Sequence, residues 1–153
     1  MDVYEVMRDK GIVLPKAPPR GGAYASAKRF AQTLVYISGC GPAIDAPVAG
    51  KLGRDVTVEE GIAHARACML NVLAVLEAEI GDLNRVKSAV KILCFVASAD
   101  DFYQQPAVAN GASGLLAEIF GEEAGLPSRS AVGMNVLPGN IPVEVEALFE
   151  LKS

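Results

Sequence analysis

This chain of 153 residues has no tryptophan, one histidine and three cysteines. His64 falls inside a helical stretch with no ordering partner at usable spacing, so a Ser-His-Asp triad is excluded and the residue reads as a helix-face histidine. Cys40, Cys68 and Cys94 are odd in number, widely spaced and form no CxxC pair, and with His64 they match no metal-ligand spacing. Basic residues are outnumbered, 14 Lys and Arg against 18 Asp and Glu, with a net charge of -4 and no basic cluster. That balance argues against a nucleic-acid partner, whose phosphates call for lysine and arginine. Neither a P-loop nor a GxGxxG after a strand is present. No apolar run approaches the length of a membrane span, so no membrane partner is expected. The opening MDVYEVMRDKG carries acids where a secretory signal would be apolar; a cytoplasmic protein with free thiols is the expectation.

What is present is apolar. Hydrophobic residues make up 51% and charged residues 21%, enough for one domain over residues 1–153 that buries a core without disulfides. The apolar surplus predicts self-association as a homo-oligomer.

Asp2 to Lys10 places Val3, Val6 and Met7 at helical spacing, with Gly11 set to end the turn. The proline- and glycine-rich PKAPPRGG that follows reads as an arm, so residues 1–20 are a short helix plus an irregular segment. Two short strands are expected between Tyr24 and Gly39, broken near Lys28 to Gln32. The Gly39 to Gly53 stretch has the composition of a loop, and its length suits a site rim. Thr57-Val58-Glu59-Glu60 is a capping box opening a helix that should end at Gly81. Its stripe is Ile62, Ala65, Met69, Val72, Leu73, Leu76 and Ile80. Val86 to Ala97 is a strand whose later half is apolar on both faces, as in a sheet centre. Asp100 and Asp101 are candidate N-caps for a second helix within Phe102 to Phe120, with Pro106 at an early position.

The stretch Pro127 to Glu146 reads as two strands around a Leu137-Pro138-Gly139-Asn140 turn. Alternation puts Val132, Met134 and Val136, then Val143, Val145, Ala147 and Phe149, toward a core. Arg129 stands at the start of the first strand, where a guanidinium could present its planar fork to a carboxylate. Glu144 and Glu146 occupy the polar face of the second. The order is β-β-α-β-α-β-β, an α+β layer pair with helices on one face of a mixed sheet.

The run Pro127-Ser128-Arg129-Ser130-Ala131-Val132, then Leu137-Pro138 and Val143-Glu144-Val145-Glu146, resembles the C-terminal signature of the Rid (YjgF, reactive intermediate deaminase) family. Gly22-Ala23-Tyr24, Val35-Tyr36-Ile37-Ser38-Gly39 and Ala107-Val108-Ala109-Asn110-Gly111-Ala112-Ser113 look like a longer subgroup of it. The resemblance covers nearly the whole chain from Leu14, in the family's order. It implies a chorismate-mutase-like fold, three copies around a central barrel, and ligand clefts between neighbours. It also implies a cofactor-free, metal-free deaminase that hydrolyses imines or enamines of small carboxylates to keto acids and ammonia.

Each matched residue has two readings. Arg129 is either a sheet-edge ion pair with Glu146 or Glu150 or, by resemblance, the arginine that grips the substrate carboxylate. Glu144 is either a solvated strand acid or the glutamate that orients a water. Tyr24 and Ser38 are either a core tyrosine with a bonded hydroxyl and a strand-end serine, or cleft residues beside Gly39. Asn110 either caps its helix or reaches the cleft. Ala131 stands where the family often has cysteine, and Cys40 follows Ser-Gly where a polar residue is frequent; Cys40 is a small apolar filler or a cleft thiol. Simple hairpin geometry pairs Glu144 with Gly133, on the same face as Arg129 and roughly 13 Å from it. That distance leaves open a bulge or a meeting across a subunit boundary. The alternatives to deamination are a carboxylate-binding or holdase trimer without turnover and, less compatible with the charge, a ribonuclease.

Overall fold

The computed structural model describes residues 1–153. Five strands form one mixed sheet: β1 (Ala27–Phe30), β2 (Leu34–Cys40), β3 (Val86–Ala97), β4 (Ser128–Met134) and β5 (Val143–Leu151). Two long helices, α2 (Val58–Ile80) and α3 (Gln105–Gly125), pack on the sheet, and a short α1 (Val3–Asp9) packs beside them. The α+β architecture and element order match the expectation.

Local signals account for the helices. Asp2 caps α1 by accepting from the Tyr4 N–H at 2.9 Å, and Val3 and Met7 are its buried face. The capping box of α2 is complete: the Glu60 N–H donates to Thr57 Oγ1 at 3.2 Å and the Thr57 N–H to Glu60 Oε2 at 2.8 Å. Gly81 closes α2 in the left-handed region, φ 82°, where a Cβ would be penalised. All of the predicted α2 stripe is buried except Ile62, which is half-buried. Against the expectation that no run is span-like, α2 is long and apolar enough to cross a membrane, with mean hydropathy 1.3 in its most apolar window. Here that apolarity faces the sheet and α3, as in a core helix.

Helix α3 differs from the reading of its ends. Neither Asp100 nor Asp101 caps it; a turn closed by Phe102 N–H to Ala99 C=O intervenes, and Gln104 is the N-cap without a side-chain bond. Pro106 does sit in the first turn, and helical structure continues past Phe120 to Gly125 across a non-helical Gly121 (φ 80°, ψ 163°). The break between β1 and β2 is a tight turn at residues 31–33, so β1 occupies part of the segment expected to be irregular.

The main correction concerns the last two strands. The sheet order is β1-β2-β5-β3-β4, with β5 antiparallel to β2 and β3, and β4 parallel to β3. They are therefore not a hairpin: β3 lies between them, and Glu144 pairs with Phe95, not with Gly133. β3 takes β5 on one edge and β4 on the other, and its apolar later half suits that central position. Along β5 the alternation holds, with Val143, Val145, Ala147 and Phe149 all essentially inaccessible. Along β4 it does not build a core, because β4 is an edge strand: Val132 is half-buried, while Met134 and, beyond the strand end, Val136 are exposed.

The helices cover one face of the sheet. The other face is open in the single chain and carries Phe30, Tyr36, Leu93, Phe95, Val132 and Leu148, none fully buried.

Candidate functional site

Residues paired across a ladder share a face. Arg129 pairs with fully buried Ile92 and Ala131 with fully buried Cys94, so both lie on the helix side of the sheet. There the Arg129 Nη1 donates to Asn110 Oδ1 at 2.7 Å and to Ser113 Oγ at 3.1 Å. Both acceptors come from α3, three residues apart and so on one side of the helix. Both are uncharged. The ion pair with Glu146 or Glu150 is not formed: Glu146 accepts from the Tyr36 hydroxyl at 2.9 Å, and Glu150 pairs with Lys87 at 2.9 Å. Arg129 is thus oriented by neutral groups that leave its charge uncompensated.

Glu144 lies on the opposite face, between buried Val143 and Val145. This replaces the same-face geometry of the hairpin: within one chain Arg129 and Glu144 are separated by β3 and by the thickness of the sheet. Its carboxyl is pushed above the usual range, first by burial and then by the neighbouring charge of Glu146. A β-bulge in β2 between Ile37 and Cys40 brings Gly39 against it. A Cβ built on Gly39 would overlap Glu144 Oε1 and stand 2.8 Å from its Cδ, so only glycine lets the carboxylate lie where it does.

Tyr24, Ser38 and Gly39 line one cleft of about 260 Å³, bounded by the arm, the end of β2 and α2. Tyr24 is not a core residue; it is 44% exposed, and its hydroxyl accepts from the Gly21 N–H at 2.9 Å. The Ser38 hydroxyl donates to the Ala25 carbonyl at 2.7 Å, which ties β2 to the arm. Cys40 is buried on the cleft floor with its thiol pushed up to about 12 by burial and by the charge of Glu144. Such a thiol is inert at neutral pH. His64 is half-buried on α2, its pKa lowered by burial.

The predicted residues therefore fall into two groups. Asn110, Arg129 and Ala131 stand at β4 and α3; Tyr24, Ser38, Gly39 and Glu144 stand at β2, β5 and the arm. Three contributors were missed. Ser113 shares Arg129 with Asn110, and the three-residue spacing of the pair on α3 was the available signal. Asn71, 2% exposed, donates to the Gly41 and Ala43 carbonyls, both at 2.9 Å, and so fixes the loop at the cleft floor. A lone amide inside the apolar run MLNVLAVL was its signal. Arg20, in the arm, had none.

A mixed sheet covered on one face by two long helices, with an arginine bonded only to neutral groups on one side and a half-buried glutamate on the other, is an α+β architecture of the YjgF type. The chain belongs to that family: residues 9–151 match the profile described as "YjgF/chorismate_mutase-like, putative endoribonuclease". It is 45% identical to the protein TCP17 of Trypanosoma cruzi over 145 residues, 94% of this chain and 90% of that one. The crystal structure of protein Atu1372 of Agrobacterium tumefaciens, of unknown function, superposes with a TM-score of 0.87. It is 35% identical, with 99% of this chain and 92% of that one covered. A 2-iminobutanoate/2-iminopropanoate deaminase of Dermatophagoides farinae is 30% identical over 146 residues, 92% of this chain and 95% of that one.

Proposed function

We propose that this protein is a cofactor-free hydrolytic deaminase that converts reactive 2-imino or enamine acids to 2-keto acids and ammonia. The observation that carries the reading is Arg129: a guanidinium held in place by Asn110 and Ser113 with no carboxylate partner. Its remaining N–H groups match a substrate carboxylate in a planar, two-bond grip that lysine would not reproduce.

Glu144 supplies the base. The imine carbon next to the gripped carboxylate is electrophilic. A water hydrogen-bonded to Glu144 adds its oxygen to that carbon and passes a proton to the carboxylate. Glu144 returns that proton to the nitrogen, which gives the tetrahedral carbinolamine; it then carries the hydroxyl proton to the amino group as the carbon–nitrogen bond breaks, so that ammonia leaves, the hydroxyl oxygen becomes the keto oxygen and the carboxylate is regenerated. Burial of Glu144 raises its basicity, which suits the first step.

Because the two groups lie on opposite faces of one chain, both reach one ligand only where two copies meet. We place Asn110, Arg129 and Ala131 of one copy opposite Tyr24, Ser38, Gly39 and Glu144 of the next, in a homotrimer whose open, apolar sheet faces line a central barrel. The three free thiols fit a cytoplasmic setting.

The test is turnover of freshly generated 2-iminobutanoate, followed as ammonia release above the solvent rate. Losing a charged two-bond grip costs about 3 kcal/mol, so Arg129→Ala should lower kcat/KM roughly 100-fold. Mixing unfolded Arg129→Ala and Glu144→Gln chains and refolding them together should restore activity, since some interfaces then combine two intact halves. Unchanged turnover by Arg129→Ala would overturn the reading, and no recovery on mixing would overturn the shared site.

A further inference from the structure

The chain has seven arginines. Four are paired with carboxylates: Arg8 with Glu5, Arg29 with Glu79, Arg54 with Asp55 and Arg66 with Glu118. Arg85 donates to the Ile80 carbonyl at 2.8 Å, at the C-terminus of α2 where a cation is favoured by the helix dipole. Two are left without an acid or a helix end, Arg129 and Arg20. Arg129 belongs to the first group of site residues, and Arg20 borders the cleft of the second.

Arg20 lies on the rim of the cleft that holds Tyr24, Ser38 and Gly39. Pro18 and Pro19 precede it and restrict the backbone that leads to it. Its Nη1 donates to the Tyr24 carbonyl at 3.2 Å, and the Tyr24 hydroxyl accepts from the Gly21 N–H at 2.9 Å, so residues 20–24 form a closed loop carrying the cation and the ring together. One of the five guanidinium N–H groups is thereby used. No aspartate or glutamate lines this cleft, and Arg20 is its one cation. The amide of Asn71 does not serve a ligand as donor, since it is spent on the Gly41 and Ala43 carbonyls.

We propose that Arg20 sets substrate specificity by binding a second carboxylate, so that the preferred substrate is a dicarboxylic imino acid. This rests on the deaminase reading and extends it: Arg129 holds the carboxylate beside the imine carbon, and Arg20, from the neighbouring half-site, holds the one at the far end. One guanidinium with open N–H groups matches one carboxylate in charge and shape. A cleft of about 260 Å³, near the lower bound of small-molecule sites, suits a short diacid.

The experiment compares imino acids generated in place from aspartate and from alanine by amino-acid oxidases, with wild type, Arg20→Met and Arg20→Lys. Arg20→Met keeps an unbranched apolar stem. The wild type should favour the aspartate-derived imine, and the ratio of kcat/KM for diacid over monoacid should fall at least tenfold in Arg20→Met and less in Arg20→Lys. A parallel calorimetric arm measures oxaloacetate against pyruvate, where the ratio of Kd values should shift the same way. If the ratio is unmoved by Arg20→Met while Arg129→Ala still lowers turnover of both imines roughly 100-fold, the diacid proposal is overturned and the deaminase reading stands. If the wild type turns over neither imine, the deaminase reading falls. In that case an Arg20-dependent preference for oxaloacetate still supports the second-carboxylate site, and equal binding overturns it.

Discussion

Gly39→Ala separates the placement of Glu144 from the integrity of the fold. The added methyl would overlap Glu144 Oε1 and stand 2.8 Å from Cδ and 3.1 Å from Cγ. The obstacle is the end of a side chain, half-buried and bordering the open sheet face, so it can retreat without moving a strand. The stability cost should sit at the low end of overpacking, about 1 kcal/mol. Clearing the methyl requires the carboxylate to move by roughly 1 Å, and a misplacement of that size costs about 100-fold in rate, or about 2.7 kcal/mol. Urea denaturation and ammonia release from freshly formed 2-iminobutanoate measure the two quantities on one preparation. The expected result is a nearly unchanged unfolding midpoint with kcat down by two orders of magnitude. Full activity in Gly39→Ala, with Glu144 displaced in its crystal structure, would refute the assignment of Glu144 as the base.

The pH profile follows from the same residue. As a base Glu144 must be ionised, and its pKa is raised, so the acid limb of kcat/KM should fall at a pH above that of an ordinary glutamate and vanish in Glu144→Gln. For stability the sign is opposite. A carboxyl whose folded pKa is raised binds its proton more tightly in the native state, so its contribution is fully present below the unfolded pKa and is lost as pH rises through the folded one. Urea titrations across that window should show the slope in wild type and not in Glu144→Gln. Gly111→Ala is the counterpart of Gly39→Ala: its methyl would overlap the Ile62 carbonyl oxygen and stand 2.9 Å from the carbonyl carbon, so two helix backbones must part. The expected loss is about 3 kcal/mol, the upper end of overpacking, and an unfolding midpoint within error of wild type would contradict the close packing of α2 on α3.

Helices and strands whose cues are local were legible in the sequence. Thr57 and Glu60 lie three residues apart and Gly81 ends the stripe they open, so α2 could be bounded from its own residues, as could β3 from Val86 to Ala97. Strand pairing was not legible in the same way. The Leu137-Pro138-Gly139-Asn140 turn between alternating segments resembles a hairpin, yet the partner of each strand is chosen by burial at long range. The cue that was available is β3 itself: strand, helix α3 and strand β4 in succession is the arrangement of a parallel crossover. Arg129 and Glu144 were identifiable by residue and motif, but their faces depend on strand order, which is why the sequence put them on one face, apart along it, and the fold puts them on opposite faces. Arg20 carries no motif at all; its interest comes from the absence of any acid near it, a property of the folded surface.

The latest strand in chain order occupies the middle of the sheet. Until β5 enters, the β1–β2 ribbon and the β3–β4 pair are two fragments with no shared ladder, each of their facing edges waiting for the same nine residues. Glu144 rides on that keystone as its second residue. The strand that joins the two fragments is thus also the one that carries the carboxylate proposed as the base.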